Sequence, residues 1–150
     1  MLKGELLRKG FLFENFTQQE IESFSLLVKE RLVPAGQYVF RETSPATSMY
    51  IIESGVVEIV KEKKDGVKLV VAELTPGSHF GEMPFLDRGD RSTSAIAKDD
   101  VRLHEISYDD MEKIVSKNPE VGRKIYHSLA KTLCQRIRQT TEDFSHVLLS

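Results

Sequence analysis

Two hydrophobic periodicities divide the chain. Ile21, Phe24, Leu27 and Val28 recur at intervals of three and four, the spacing that keeps apolar side chains on one helical face. Thr17-Gln18-Gln19-Glu20 just before them is a capping-box pattern, and Pro34-Ala35-Gly36 is the turn signal before which the helix must stop. From about Gln37 to Ile106 the period falls to two. Candidate strands are QYVFR (37–41), SMYIIE (48–53), VVEIVKE (56–62), VKLVVAE (67–73) and VRLHEI (101–106), separated by Pro45, Gly55, Asp65-Gly66 and Pro76-Gly77. Asp65-Gly66 between two alternating runs predicts a hairpin with a type I′ turn, whose central residues need positive φ. Many short strands with regular turns imply a sandwich, jelly roll or barrel.

Helical spacing returns after Ile106. Ser107-Tyr108-Asp109-Asp110 caps a short helix ending near Asn118, and Pro119 suits the first position of a second one. Only Gly122 interrupts good helix formers from there to the end. Ala130, Leu133, Ile137, Thr140, Phe144 and Val147 alternate spacings of three and four, a heptad seam. Such a seam suits either a second copy of the helix or the chain's own β domain. Cys134 lies beside it and is expected to be a packed thiol.

Composition narrows the class. With 150 residues, one domain with a real core is expected, and 40% hydrophobic with 29% charged residues is ordinary for a soluble globular protein. The net charge of -2 argues against a chain whose task is gripping nucleic acid. Arg123, Lys124, Lys131, Arg136 and Arg138 accordingly read as a solvated helix face. A single cysteine cannot form an intramolecular disulfide and fits a reducing cytosol. MLKGELLRKGFLFENF scatters charges among its apolar residues, so it is neither a signal peptide nor a membrane span, and the expected location is cytoplasmic.

The candidate chemistry sits in FGEMPFLDRGDRSTSAIA, Phe80 to Ala97. A glycine followed by a turn with free backbone N–H groups can cradle a phosphate, and a guanidinium such as that of Arg91 can neutralise it. Glu82 repels phosphate but accepts hydrogen bonds from hydroxyls, as a ribose offers. Phosphate plus sugar in one pocket means a nucleotide. Metal enzymes of jelly-roll architecture need several His and a carboxylate converging inside the barrel. Of His79, His104, His127 and His146 only the first two fall in the β region, without a His-x-His pair, so neither catalysis nor a metal is expected.

The order of elements and this loop resemble the cyclic nucleotide-binding domain family. LFENFTQQEIESFSLLVKERLVPAGQYVFRE resembles its opening helix and first strand, SMYIIESGVVEIV its central strands, and FGEMPFLDRGDRSTSAIA its phosphate-binding cassette, including the spacing from Glu82 to Arg91. The resemblance implies an α+β fold: a double-stranded β-helix, or jelly-roll β-roll, with an N-terminal helix and a long C-terminal helix. It divides the chain into 1–110, the helix and roll, and 111–150, the C-terminal helices acting as lid and dimer element. It implies that Glu82 accepts from the ribose 2′-hydroxyl, Arg91 binds the cyclic phosphate, Gly81 permits close backbone approach, and Met83 and Ser92 complete the pocket. RIRQTTEDF resembles the long helix of the catabolite activator group, where a Thr-Ser pair reaches adenine, one member from the partner subunit; here the pair is Thr140-Thr141. The implied ligand is cyclic AMP, with cyclic GMP the other option. The implied partners are a second copy of the chain and an unidentified effector, with neither nucleic acid nor membrane. Many bacterial relatives carry a helix-turn-helix after the long helix, and this chain reaches Ser150 without one. A degenerate domain kept as a dimerisation scaffold is the alternative. Asp90, in place of a frequent proline, and Pro84, in place of a small residue, depart from the family pattern.

Overall fold

The computed structural model describes residues 10–149; residues 1–9, which hold most of the segment read as neither signal peptide nor membrane span, lie outside the described part. After a 3-10 turn at Phe11–Phe13 comes helix α1, Gln18–Ser25. Its capping box is complete: the Thr17 hydroxyl accepts from the Glu20 N–H at 3.2 Å and the Glu20 carboxylate accepts from the Thr17 N–H at 2.8 Å. Its apolar face buries Ile21 and Phe24, and the Phe24 ring packs on Phe13 and Phe16 at centroid distances of 5.1 and 5.6 Å.

Eight strands follow: β1 Lys29–Val33, β2 Tyr38–Phe40, β3 Ser48–Ser54, β4 Val57–Glu62, β5 Lys68–Leu74, β6 His79–Phe80, β7 Ser94–Ala97 and β8 Val101–Ser107. Helix α2, Met83–Asp87, lies between β6 and β7; helices α3, Tyr108–Lys117, and α4, Pro119–Leu149, complete the chain. The strands form two antiparallel sheets, ordered β1-β8-β3-β6 and β2-β7-β4-β5, which is the expected jelly-roll β-roll in an α+β fold. β3 shows how the layers share one strand. Met49 and Ile51 face the helical layer with Ile21, Phe24, Ile125 and Leu129, whereas Tyr50 and Ile52 face the roll interior with Phe40, Phe80 and Leu103. Burial on both faces explains its continuous apolar run.

Several elements differ from the sequence expectation. The first helix stops before Pro34 as expected, but already at Ser25, leaving Leu27 and Val28 outside it, because Lys29–Val33, absent from the candidate strands, pairs in register with β8 from Lys29↔Glu105 to Val33↔Val101. β6 and β7 were not among the candidate strands; two and four residues are too short to show a period. The Asp65-Gly66 hairpin forms, but not through a type I′ turn. Gly66 N–H donates to the Lys63 carbonyl at 3.0 Å, and only Gly66, not Asp65, has positive φ.

Ser107 caps α3, its hydroxyl accepting from the Asp110 N–H, and Pro119 opens α4 as expected. α4 packs on the domain through Val121, Ile125, Ser128, Leu129 and Thr132. The heptad seam is a different face: Ile137, Phe144 and Val147 are 65%, 63% and 72% exposed. Packing on the chain's own β domain through that seam is therefore not what the helix does. Cys134 is exposed rather than packed, since it falls outside the buried stripe.

Gly55, in the β3–β4 turn, has φ +86°, and a Cβ there would lie 2.5 Å from the Asp100 carbonyl oxygen. Gly66 has the same backbone (φ +84°) but open space around it. Gly66→Ala should incur only the left-handed cost of about 1–2 kcal/mol. Gly55→Ala carries the clash as well, so thermal unfolding should show its melting temperature falling further than the roughly 2–8 °C expected for Gly66→Ala.

Candidate functional site

The loop between β6 and β7, strands β4 and β5, and α4 together line a cleft of about 630 Å3. Gly81 begins the loop with φ +81°; a Cβ there would approach Arg91 Nη1 to 3.0 Å and the Ser48 carbonyl to 3.4 Å. Only glycine gives this conformation and this approach without strain. Pro84 fits the first turn of α2, where a missing N–H costs no helical bond.

Arg91 is 6% exposed and holds its charge against neutral partners. Its guanidinium lies 3.8 Å from the centroid of the Phe40 ring. Nη2 donates to the Ser48 carbonyl at 2.9 Å, and Nη1 donates to the Gly81 carbonyl at 3.3 Å and to the Tyr108 hydroxyl at 3.4 Å. Nε is buried without a partner. None of these neighbours is a carboxylate, so neither Asp87 nor Asp90 compensates the cation; both are exposed, and Asp87 caps the Gly89 N–H. The Tyr108 hydroxyl donates in turn to the Gly81 carbonyl. Burial pushes that phenol up to about 12, partly against the field of Arg91, so it stays protonated and able to donate.

Glu82 is 1% exposed, and its partner comes from α4. Arg136 Nη1 donates to Glu82 Oε1 at 2.7 Å, and a second N–H of the same guanidinium donates to the His79 carbonyl. Burial alone would raise the Glu82 carboxyl, but the His79 imidazole and the Arg136 guanidinium outweigh it and hold the group below the usual carboxylate range. The carboxylate is therefore ionised and acceptor-only near neutral pH.

The cleft is lined by the apolar side chains of Ile59, Val71, Leu74 and Met83 and, from α4, by Arg136, Gln139, Thr140 and Asp143. Of the residues anticipated from sequence, Gly81, Glu82, Met83, Arg91, Ser92 and Thr140 line this one cleft. Thr141 does not, and is exposed on α4. Both threonine hydroxyls donate to carbonyls one turn back, those of Arg136 and Ile137, at 2.9 Å.

Sequence reasoning missed Arg136, which was grouped with a solvated basic face. A signal was available: Arg136 precedes Thr140 by four residues and so shares its helical face. Phe40 and Tyr108 were also missed, because nothing local marks a ring that will sit under a guanidinium 51 residues away or a phenol that will bind the loop carbonyl.

Comparison with known proteins places this geometry. The family described as the cyclic nucleotide-binding domain matches residues 30–118. The cyclic AMP receptor protein of Thermus thermophilus is 31% identical over 128 residues, covering 85% of this chain and 57% of that protein. This chain thus spans under two thirds of that relative's length. The regulatory domain of Toxoplasma gondii PKA, solved with cyclic AMP, superposes with a TM-score of 0.69 at 26% identity over 75% of this chain and 43% of that one. The cyclic di-GMP-responsive regulator CLP of Xanthomonas campestris superposes with a TM-score of 0.75 at 29% identity over 85% of this chain and 63% of that one. With the family match extending over more than half of its residues, this chain belongs to the cyclic nucleotide-binding domain family.

Proposed function

We propose that the cleft binds a cyclic nucleotide and that binding is read out through α4, making the chain a regulatory sensor module rather than an enzyme. The observation that carries this is Arg91: a buried guanidinium with only neutral partners and an unused Nε–H, lining an open cleft. A buried cation without a counter-ion is costly, and an incoming phosphate removes that cost. Glu82, ionised beside it, is suited to a sugar hydroxyl, and the apolar wall of Ile59, Val71 and Leu74 to the face of a base.

Adenine is the favoured base, because Thr140 places a hydroxyl on the α4 wall and the Thermus relative is a cyclic AMP receptor. Residues 1–110 would receive the ligand and 111–150 respond. Coupling requires that ligand bind one α4 arrangement better than another, and a 100-fold preference corresponds to about 2.7 kcal/mol. Thr141 would act across a homodimer formed on the exposed Ile137–Phe144–Val147 stripe, and an effector outside these residues would respond. Among the described residues no helix is long and apolar enough to cross a membrane.

A thermal-shift panel of cyclic AMP, cyclic GMP and cyclic di-GMP tests the ligand class, since a ligand that binds only the native state raises the melting temperature. Cyclic AMP should give the largest shift; no shift with any of the three would leave the fold as a scaffold for dimerisation. Arg91→Ala should lose about two to three decades of affinity by calorimetry, corresponding to roughly 3–5 kcal/mol. An unchanged Kd would remove the phosphate role. Sedimentation should show a dimer that Phe144→Asp converts to monomer.

A further inference from the structure

Next to Glu82 lies a histidine that the proposed function leaves without a task. His79, on β6, is 3% exposed. Its Nε2 is 3.2 Å from the Thr132 hydroxyl, which itself donates to the Ser128 carbonyl at 3.1 Å. Its Nδ1 is 3.6 Å from Glu82 Oε2 and makes no shorter polar contact. Thr132 and Arg136 are one turn apart on α4, so the helix grips the imidazole with one residue, and the His79 carbonyl and Glu82 with the other.

Donor counting decides what this arrangement favours. A neutral imidazole has one N–H and one lone pair. If the proton is on Nε2, it is given to Thr132 and a lone pair faces the Glu82 carboxylate. If it is on Nδ1, it faces Glu82, but Nε2 then needs the Thr132 hydroxyl proton, which must leave the Ser128 carbonyl. The imidazolium alone donates on both sides while Thr132 keeps its bond to Ser128.

We propose that His79 is a positioning residue for the ligand site, whose imidazolium fixes Glu82 Oε2 while Arg136 fixes Oε1, so that binding of a cyclic nucleotide is accompanied by uptake of a proton on His79. The inference rests on the cyclic nucleotide reading of the cleft. The charged groups facing the ring are Glu82, which favours its protonation, and Arg136 from α4, which opposes it. On the sheet side its partner in β3 is Ile51, and His104 of β8 lies one strand further on, opposite Ile51. The apo balance is thus one carboxylate against one guanidinium. A nucleotide adds a phosphate anion to a cleft lined by the cationic Arg91 and Arg136, and that added negative charge strengthens the attraction of the site for a positive charge. Because the same ring is bonded to Thr132, the proton that steadies the sugar-binding carboxylate also ties it to α4.

The test is calorimetric titration of the whole chain with cyclic AMP at pH 6, 7 and 8, each in two buffers of different ionisation enthalpy. Imidazoles change charge in this window. For wild type, Kd should weaken by about three- to ten-fold from pH 6 to pH 8, and the buffer dependence at pH 7 should report fractional proton uptake. His79→Gln should flatten the pH profile and abolish the uptake. Thr132→Val keeps the histidine but frees its neutral form to donate to Glu82, so the profile should flatten there too, which a merely structural role for His79 does not predict. Wild type that binds without proton uptake, or variants that keep the wild-type slope, would overturn the inference and leave the cyclic nucleotide reading standing. Wild type that binds no cyclic AMP, cyclic GMP or cyclic di-GMP at any of the three pH values would instead overturn that reading, and this inference with it.

Discussion

A guanidinium buried without a carboxylate is the constraint around which this molecule is arranged. Arg91 can sit inside the roll because its charge is spread over the Ser48 and Gly81 carbonyls, the Tyr108 hydroxyl and the face of Phe40. Those partners come from β3, the loop after β6, α3 and β2, so both sheets and a helix must be in place before the side chain has a site. Phe40, Tyr50 and Phe80, from three strands of the two sheets, form the aromatic floor, with ring centroids 5.3 to 6.0 Å apart. The cation thus depends on the tertiary fold and gives the cleft its polarity.

The opposite charge is arranged differently. Glu82 Oε1 is paired within the protein, and its partner belongs to the C-terminal helix. α4 is packed through its first half, by Val121, Ile125 and Leu129, while Ile137, Phe144 and Val147 stand exposed further along. Arg136 lies at the junction of these two regimes. The Glu82–Arg136 pair therefore links the loop to the helix at the point where the helix leaves the domain. With the carboxylate buried and the Arg136 side chain 36% exposed, desolvation of Glu82 offsets much of the attraction, so the pair contributes to arrangement more than to net stability.

Much of this was legible in the sequence, and the reasons are local. The Thr17–Glu20 capping box, Ser107 as an N-cap and Pro119 at a helix start are each decided within four residues. The spacing from Glu82 to Arg91 is also contained in one loop, and Gly81, Glu82, Met83, Arg91 and Ser92 do share a cleft. What failed has the complementary cause. Lys29–Val33 reads as the tail of a helix until β8 is beside it, and β6 is two residues whose strand character comes entirely from β3. The Asp65-Gly66 hairpin was foreseen, but the turn type depends on how four residues bridge two particular strands.

Sequence alone determined the period of each segment, the caps and turns that bound them, and the set of residues on the loop between β6 and β7, because these depend on neighbours within a few positions. Tertiary structure alone decided that Arg91 would lie over Phe40, that Arg136 would leave a nominally solvated face to hold Glu82, and that His79 would stand between Glu82 and Thr132. Apart from His79 and Glu82, three residues apart, those contacts join residues more than fifty positions apart in the chain. Their energies come from burial and charge, which no local pattern encodes.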